Sequence, residues 1–99
     1  MFVLALEVDL RLAAPHSLKE KRALIRPILD GARTRFRCAS SEVGEHDLWQ
    51  RARLGFAVVG PGAAHVAGVI DHVERFVWSF PEIEVLASER HWLEPDDDR

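Results

Sequence analysis

The sequence has no second cysteine beside Cys38 and no long hydrophobic run, and each of these absences excludes a class of protein. A lone cysteine cannot form an internal disulfide, and one thiol without export signals is typical of the reducing cytoplasm. No apolar stretch approaches the ~20 residues that span a bilayer, and the N-terminus lacks the basic lead and apolar block of a signal peptide. We therefore predict a cytoplasmic protein in which Cys38 packs as a small hydrophobic residue.

The sequence also lacks recognisable catalytic machinery. Its five histidines show no close metal-ligand spacing. His65 and His72 would lie two helical turns, about 10 Å, apart on a predicted helix. No serine or cysteine stands beside a base in a known catalytic motif. The glycine-rich segment 60–62 precedes a predicted helix but lacks the lysine of a Walker motif and the Rossmann pattern. We therefore expect a non-enzymatic protein without a metal or a cofactor.

The formal net charge of −3 hides a strong asymmetry along the 99 residues. Residues 16–37 contain seven basic residues against two acidic ones, whereas the chain from residue 54 onward contains three basic residues against nine acidic ones. With 47% apolar and 29% charged residues, the composition is that of one ordinary globular domain. We therefore expect a surface field that is positive on one side and negative on the other.

The first segment of the chain has the clearest secondary-structure pattern. Residues 2–12 alternate between large apolar side chains at even positions and small or charged ones at odd positions, which predicts a strand with one buried face. Ser17 and Glu20 then form a capping box for a helix that continues, kinked, through Pro27. The predicted elements in order are a strand over 2–12, a helix over 18–35, a weaker strand over 37–43, a strand over 51–59, a helix over 63–80 and a strand over 83–92.

This β-α-β-β-α-β order predicts an α+β fold of the ferredoxin-like class. Such a fold is a sandwich in which a four-stranded antiparallel sheet has two helices on one face. Residues 1–93 are expected to form this single domain. Residues 94–99 form an acidic tail that we expect to be disordered.

The face of the predicted sheet that the helices leave open carries mostly small residues. They are Val3, Ala5, Gly55, Ala57 and Val59. The face lacks the paired aromatic residues of an RNA-recognition motif, which excludes that mode of binding. A flat surface of small side chains suits either a second sheet, and so a homodimer, or plain exposure to solvent. Glu7, Asp9, Glu42 and Glu89 are also expected on this face, paired with arginines.

Four basic residues of the first helix form a narrow row, which we call the basic stripe. At 100° per residue, Lys19, Arg22, Arg26 and Arg33 fall within about 60° of one another, beside the apolar face. A row of this kind can follow a phosphate backbone. It can equally be a solvated flank whose aliphatic stems cover the edge of the core.

Lys21 falls at an unusual position on the same helix. Its helical angle places it among Leu18, Ile25 and Ile28, on the face that should be buried. An unpaired buried ammonium is costly, so Lys21 must extend out to solvent or meet a partner. A carboxylate or a bound anion near the helix N-terminus would be such a partner.

A second cluster joins the two middle strands. Trp49 lies between Asp47 and the arginines Arg51 and Arg53. A tryptophan beside arginines can stack on a base while the arginines hold phosphates. The alternative is that Trp49 folds back over the edge of the core as a lid.

Three segments of the chain stand in a characteristic order and spacing. They are Ser-Leu-Lys-Glu-Lys-Arg at 17–22, Ser-Glu-Val at 41–43 and Asp-Leu-Trp-Gln-Arg-Ala at 47–52. With these segments in register the chain resembles the YlxP-like family, a group of bacterial domains of unknown function. The resemblance covers the chain up to about residue 93 and implies a ferredoxin-like fold. It implies no catalytic residues. Family genes often lie near those for translation initiation and ribosome-binding factor A, which implies a role near RNA or the ribosome. The chain departs from the family pattern at Pro27, Gly31 and 60–62.

Together these observations predict a non-enzymatic accessory protein that binds structured RNA or a ribosomal subunit. The alternative is a homodimeric interaction module or small-ligand regulatory module assembled through the open sheet face. In the first case Trp49 would stack on a base and basic side chains would hold phosphates. The predicted phosphate-binding residues are Lys19, Lys21, Arg22, Arg26 and Arg33, assisted by Arg51 and Arg53.

Overall fold

A computed structural model describes residues 1–93 of the chain, and the predicted acidic tail at 94–99 lies outside the described residues. The order of elements is the predicted β-α-β-β-α-β. They are β1 (Phe2–Leu12), α1 (Leu18–Phe36), β2 (Ala39–Gly44), β3 (Arg51–Gly60), α2 (Ala63–Trp78) and β4 (Ile83–Leu93).

Helix α1 is one helix that passes through Pro27, as its continuous apolar pattern predicts. The capping residues act as expected, since the Ser17 hydroxyl accepts a hydrogen bond from the Glu20 N–H at 3.1 Å. The helix closes at Arg37, whose backbone is left-handed with φ 54° and whose N–H donates to the Arg33 carbonyl. Because residue 37 turns the chain in this way, β2 begins at Ala39 and not at residue 37 as predicted.

Helix α2 is two residues shorter than predicted. It ends at Trp78, since the N–H groups of Ser79 and Phe80 donate to the carbonyls of Phe76 and Val77 in a tight last turn. Pro81 then prevents the helix from continuing.

The four strands form one antiparallel sheet in the order β2-β3-β1-β4. Strands β1 and β3 are therefore central, and β2 and β4 are the edges. Both helices pack on one face of this sheet, which confirms the ferredoxin-like α+β fold.

The core lies between the sheet and the two helices. The even-numbered side chains of β1 and β3 point into it, and those of β1 from Leu4 to Leu12 are at most 1% exposed. They pack against the buried side chains of the helices. These are Ile25, Ile28 and Ala32 on α1, and Val66, Ile70, Val73 and Val77 on α2. Within the described residues neither helix is long and apolar enough to cross a membrane.

Candidate nucleic-acid interface

The basic stripe lies along the flank of α1 that faces the edge strand β2. This position follows from two contacts, because Arg33 Nη2 donates to the Ser40 carbonyl at 2.7 Å and the Ser40 hydroxyl donates to the Leu29 carbonyl at 2.8 Å. All four residues of the stripe are exposed. The opposite flank of α1, which carries Gly31 and Arg35, contacts Phe76 of α2 instead.

The members of the basic stripe differ in their partners. Arg33 is engaged, since Nη1 contacts the Asp30 carboxylate at 2.6 Å in addition to the bond with Ser40. For Lys19, Arg22 and Arg26, no carboxylate among residues 1–93 lies within ion-pair distance. Three of the four charges are thus available to an anionic ligand without breaking a contact within the described chain.

Lys21 has a different role from the one proposed for the stripe. Its side chain is 1% exposed, and Nζ donates to the carbonyls of Glu45 and Leu48 at 2.6 and 2.8 Å. Nζ also forms an ion pair with the Glu42 carboxylate at 2.7 Å. Because the buried Nζ already has two carbonyl acceptors and a carboxylate counter-charge, it is not exposed to a phosphate at the surface. Of the alternatives, a carboxylate partner is the one observed, and Lys21 drops out of the predicted phosphate contacts.

The contacts of Lys21 instead fix the loop between β2 and β3 against the first turns of α1. Glu45, with φ 60°, starts this loop, and the carbonyls of Glu45 and Leu48 both bind Nζ. At the far end, Gln50 Nε2 donates to the Ala13 carbonyl at 3.2 Å. The loop is therefore held at both ends next to the start of the basic stripe.

Trp49 sits on this loop with half of its side chain in solvent, at 50% exposure. It is absent from the core cluster, so it is not a lid over the core. Its neighbour Leu48 is 48% exposed. Together with Asp47, Gln50 and Arg51 they line an open depression of about 360 Å³. No sequence pattern selects Leu48, whose place in the loop is known only from the bond between its carbonyl and Lys21 Nζ.

Arg51 and Arg53 lie on the open face of the sheet and not with the basic stripe. Arg53 Nε is 3.3 Å from an Asp9 oxygen and 3.7 Å from a Glu7 oxygen, and Arg51 Nη2 is 4.0 Å from Asp9. The hydrogen bond with Asp9 raises the pKa of Arg53. The structure therefore separates these two arginines from the helix and pairs them with carboxylates, although Arg51 still borders the depression beside Trp49.

The open face has an ionic half and an apolar half. Glu7, Asp9 and Glu89 lie there as predicted, but Glu42 points to the helix side and pairs with Lys21. The apolar half contains a shallow depression of about 340 Å³. Its lining includes Ala5, Ala39, Val43, Gly55 and Ala57. A Cβ built at Gly55 would lie 2.9 Å from Val43 Cγ1, so a glycine is needed for Val43 to lie across the sheet.

The remaining reactive or metal-binding side chains among residues 1–93 are not assembled into a site. Cys38 is buried, and this burial raises the pKa of its thiol, which donates to the Ala32 carbonyl at 3.5 Å. A buried thiol held protonated is a poor nucleophile. Among residues 1–93, no three His, Cys, Asp or Glu side chains are grouped so that they could hold a metal ion.

Comparison with known proteins identifies relatives over most of the chain. A family described as "Protein of unknown function (DUF503)" matches residues 3–90. The "Uncharacterized protein YlxP" of Bacillus subtilis (strain 168) is 38% identical over 77 residues, which cover 78% of this chain and 84% of that protein. The region matched by the family, residues 3–90, contains the whole of α1, the β2–β3 loop and the sheet from residue 3 to residue 90.

Proposed function

The chain belongs to DUF503, the family of YlxP-like proteins of unknown function, and we propose that it is a non-enzymatic cytoplasmic accessory protein that binds structured RNA. In this proposal the RNA is free or part of a ribosomal subunit. The phosphate backbone lies along the basic stripe, and Trp49 stacks on an unpaired base.

The observation that carries this proposal is the exposed row of charges without carboxylate partners among residues 1–93. Lys19, Arg22 and Arg26 occupy successive turns on one flank of α1 and span about 10 Å along the helix axis. Arg33 extends the row by about another 10 Å. A guanidinium group can donate two parallel hydrogen bonds to the oxygens of one phosphate. It forms this contact readily when no competing carboxylate holds it.

The β2–β3 loop supports the same proposal. It places Trp49 and Leu48, two half-exposed apolar side chains, beside the N-terminal end of the basic stripe. RNA-binding surfaces commonly combine a basic track with an aromatic side chain on which an unpaired base stacks. A loop that is already ordered by Lys21 offers this platform at a low cost in conformational entropy.

The test of the proposal is co-sedimentation of the purified protein with small and large bacterial ribosomal subunits over a series of salt concentrations. We expect binding that weakens steeply with salt, because each phosphate contact releases counterions. The double variant Arg22→Ala, Arg26→Ala should reduce affinity by at least about tenfold and reduce the slope of log affinity against log salt by about 2.

The matched control compares single arginines on the two helices. Arg26→Ala removes one exposed charge from α1, and Arg75→Ala removes one exposed charge from α2. Only the first should weaken binding, and both should leave the thermal unfolding midpoint unchanged. Absence of binding at low salt both to the two subunits and to a free RNA hairpin, or equal effects of the two variants, would contradict the proposal.

A homodimeric interaction module built on the open sheet face is the second candidate. The observation that favours it is the apolar depression around Gly55, which a second sheet could approach closely. Against it stands the ionic half of the same face, where Arg53, Asp9 and Glu7 would lose water on burial. The oligomeric state of the protein and its response to Val59→Lys test this candidate.

A further inference from the structure

The two edge strands of the sheet differ in length and in how far their outward backbone groups are covered by side chains. The β2 edge is short, irregular between Glu42 and Gly44, and covered by side chains. Arg33 Nη2 binds the Ser40 carbonyl at 2.7 Å, and His46 Nε2 lies 3.2 Å from the Glu42 carbonyl. Short length, irregularity and covered carbonyls are the usual means by which a protein prevents its edge strand from pairing with another chain.

The β4 edge has less of this protection among residues 1–93, since its irregularity, opposite Asp9 and Leu10, lies near its start and leaves residues 87–93 in regular register. The strand is 11 residues long and contains no proline. The direction of its backbone groups follows from β1, because the Leu12 N–H donates to the Gln50 carbonyl at 3.0 Å, on the β3 side. Even residues of β1 therefore bond toward β3 and odd residues toward β4. The β4 residues opposite even positions, Ser88, Arg90 and Trp92, direct their N–H and C=O groups outward.

No described residue bonds to these outward backbone groups. Two apolar side chains accompany them, since Trp92 is 44% exposed and Leu93 is 60% exposed. An exposed strand with free backbone groups and apolar side chains is a template for another strand.

We propose that a second copy of this chain pairs antiparallel along β4, with the two-fold axis at Arg90, to form a continuous eight-stranded sheet. In this register Ser88 pairs with Trp92 of the partner subunit, and Arg90 pairs with its own counterpart. The outward groups of both chains then form about six backbone hydrogen bonds.

Side-chain complementarity on the open face selects both the occupant and the register. With the axis at Arg90, Glu89 lies opposite His91 of the partner subunit, and Ala87 lies opposite the partner's Leu93. Directly opposed pairs of this kind stabilise a sheet, whereas like charges in opposition destabilise it. An axis at Glu89 would set two glutamates against each other, and an axis at His91 would set Leu93 against the partner's Glu89.

The helix side of the proposed interface is also compatible. The two Arg90 side chains meet at the axis, but each is already held by Asp71 at 2.7 Å and Glu74 at 2.9 Å. Their positive charges are therefore compensated within each subunit. Trp92 lies over the partner's Ser88, which covers apolar surface without a steric conflict between large side chains.

Pairing along β4 also avoids the desolvation of ion pairs that opposes a dimer through the open face. The Arg53, Asp9 and Glu7 ion pairs stay in solvent when β4 strands pair, because both faces of the sheet remain as they are in the monomer. The basic stripe stays free as well, since it lies beside the opposite edge strand.

The experiment is sedimentation equilibrium of the purified chain and of the variant Ser88→Pro over micromolar to high-micromolar concentrations. Proline at residue 88 removes an outward N–H and the bond from the Ser88 hydroxyl to Glu74, but no backbone hydrogen bond between β4 and β1. We expect a concentration-dependent dimer for the natural sequence and at least about tenfold weaker dimerisation for the variant. Trp92→Pro, at the other end of the outward row, is an independent second variant, and circular dichroism establishes that both are folded.

The open-face control is Val59→Lys, which places a charge on a side chain that is 63% exposed on that face. It should leave the dimer intact. The register is tested by disulfide formation in the double variant Ala87→Cys, Leu93→Cys, since opposed residues in this register are about 4.5 Å apart between Cα atoms. Within one chain the two positions are about 20 Å apart, and neither single variant should cross-link. The natural Cys38 is buried and does not interfere.

A protein that stays monomeric throughout this concentration range overturns the proposal. So does a dimer that Ser88→Pro and Trp92→Pro leave unchanged, or a dimer that Val59→Lys dissociates, which would assign the interface to the open face. If the two proline variants weaken the dimer but the double cysteine variant does not cross-link, the register with the axis at Arg90 is overturned.

Discussion

At the scale of single residues, Lys21 is the one charged side chain among residues 1–93 that is buried. Burying an ammonium is tolerated only when it is paired, and here Glu42 supplies the counter-charge while two loop carbonyls accept hydrogen bonds. The same three contacts order the loop that carries Trp49. A residue that looked like a ligand-binding lysine is therefore the one that shapes the surface beside the candidate site.

Lys21→Met should destabilise the protein by about 3 kcal/mol, because it leaves the Glu42 carboxylate buried without its counter-charge. The free energy of unfolding from urea denaturation measures this change. Adding Glu42→Leu to the same chain should restore part of the loss, since the orphaned charge is removed along with its partner. A loss below about 1 kcal/mol for the single variant, or strict additivity in the double variant, would contradict this account.

At the scale of elements, the contact between α1 and α2 depends on the absence of a side chain at Gly31. A Cβ at this position would lie 2.5 Å from Phe76 Cζ. Phe76 cannot move freely, because its ring packs edge-on against Phe36 and Phe80 and lies 5.0 Å from the Arg35 guanidinium carbon. A glycine that weakens an isolated helix thus permits the close approach of the two helices.

Gly31→Ala should therefore destabilise the protein by about 1 kcal/mol, even though alanine is the better helix former, since the overpacking cost exceeds the gain in helix propensity. The control is Gly68→Ala on α2, where a Cβ meets nothing within 4 Å. That variant should gain about 0.5–1 kcal/mol. Urea denaturation of both variants gives the comparison, and a gain at Gly31 equal to the gain at Gly68 would show that Phe76 yields without cost.

At the scale of the whole molecule, the basic stripe and β4 lie at opposite edges of the sheet. The stripe follows β2 at one edge, and β4 is the other. A dimer formed through β4 would therefore carry one stripe at each end of an eight-stranded sheet, whose two edge strands are about 34 Å apart at about 4.8 Å per strand spacing. Both stripes would be free to bind the same RNA.

If both proposals hold, Ser88→Pro should weaken binding to an RNA long enough to reach both stripes and leave binding to a short hairpin unchanged. The reason is that the second contact becomes intramolecular in the dimer and gains from the high effective concentration. Filter binding of the two RNAs at fixed salt measures the difference. An equal loss for both RNAs would mean that the variant alters the stripe itself.

The arrangement of strands and helices was determined by the sequence, because hydrophobic periodicity, the Ser17 cap and the turn residues are all local signals. The alternation of 2–12 predicts β1 without error, and the exposed members of the basic stripe follow from helical spacing alone. The start of β2 and the end of α2 shifted by two residues, because turn contacts at Arg37 and Ser79 decide them, and the other shifted boundaries moved by one residue.

The tertiary structure alone decided which charged side chains are free. Helical spacing shows that Lys21 is buried, but only the fold brings Glu42 and the loop carbonyls to it. Arg51 and Arg53 look like neighbours of Trp49 in sequence, yet the pairing of β1 with β3 sets them against Asp9. The same pairing fixes which backbone groups of β4 point outward. Periodicity reports the face on which a residue lies, whereas its partner comes from a distant part of the chain and depends on strand order and register.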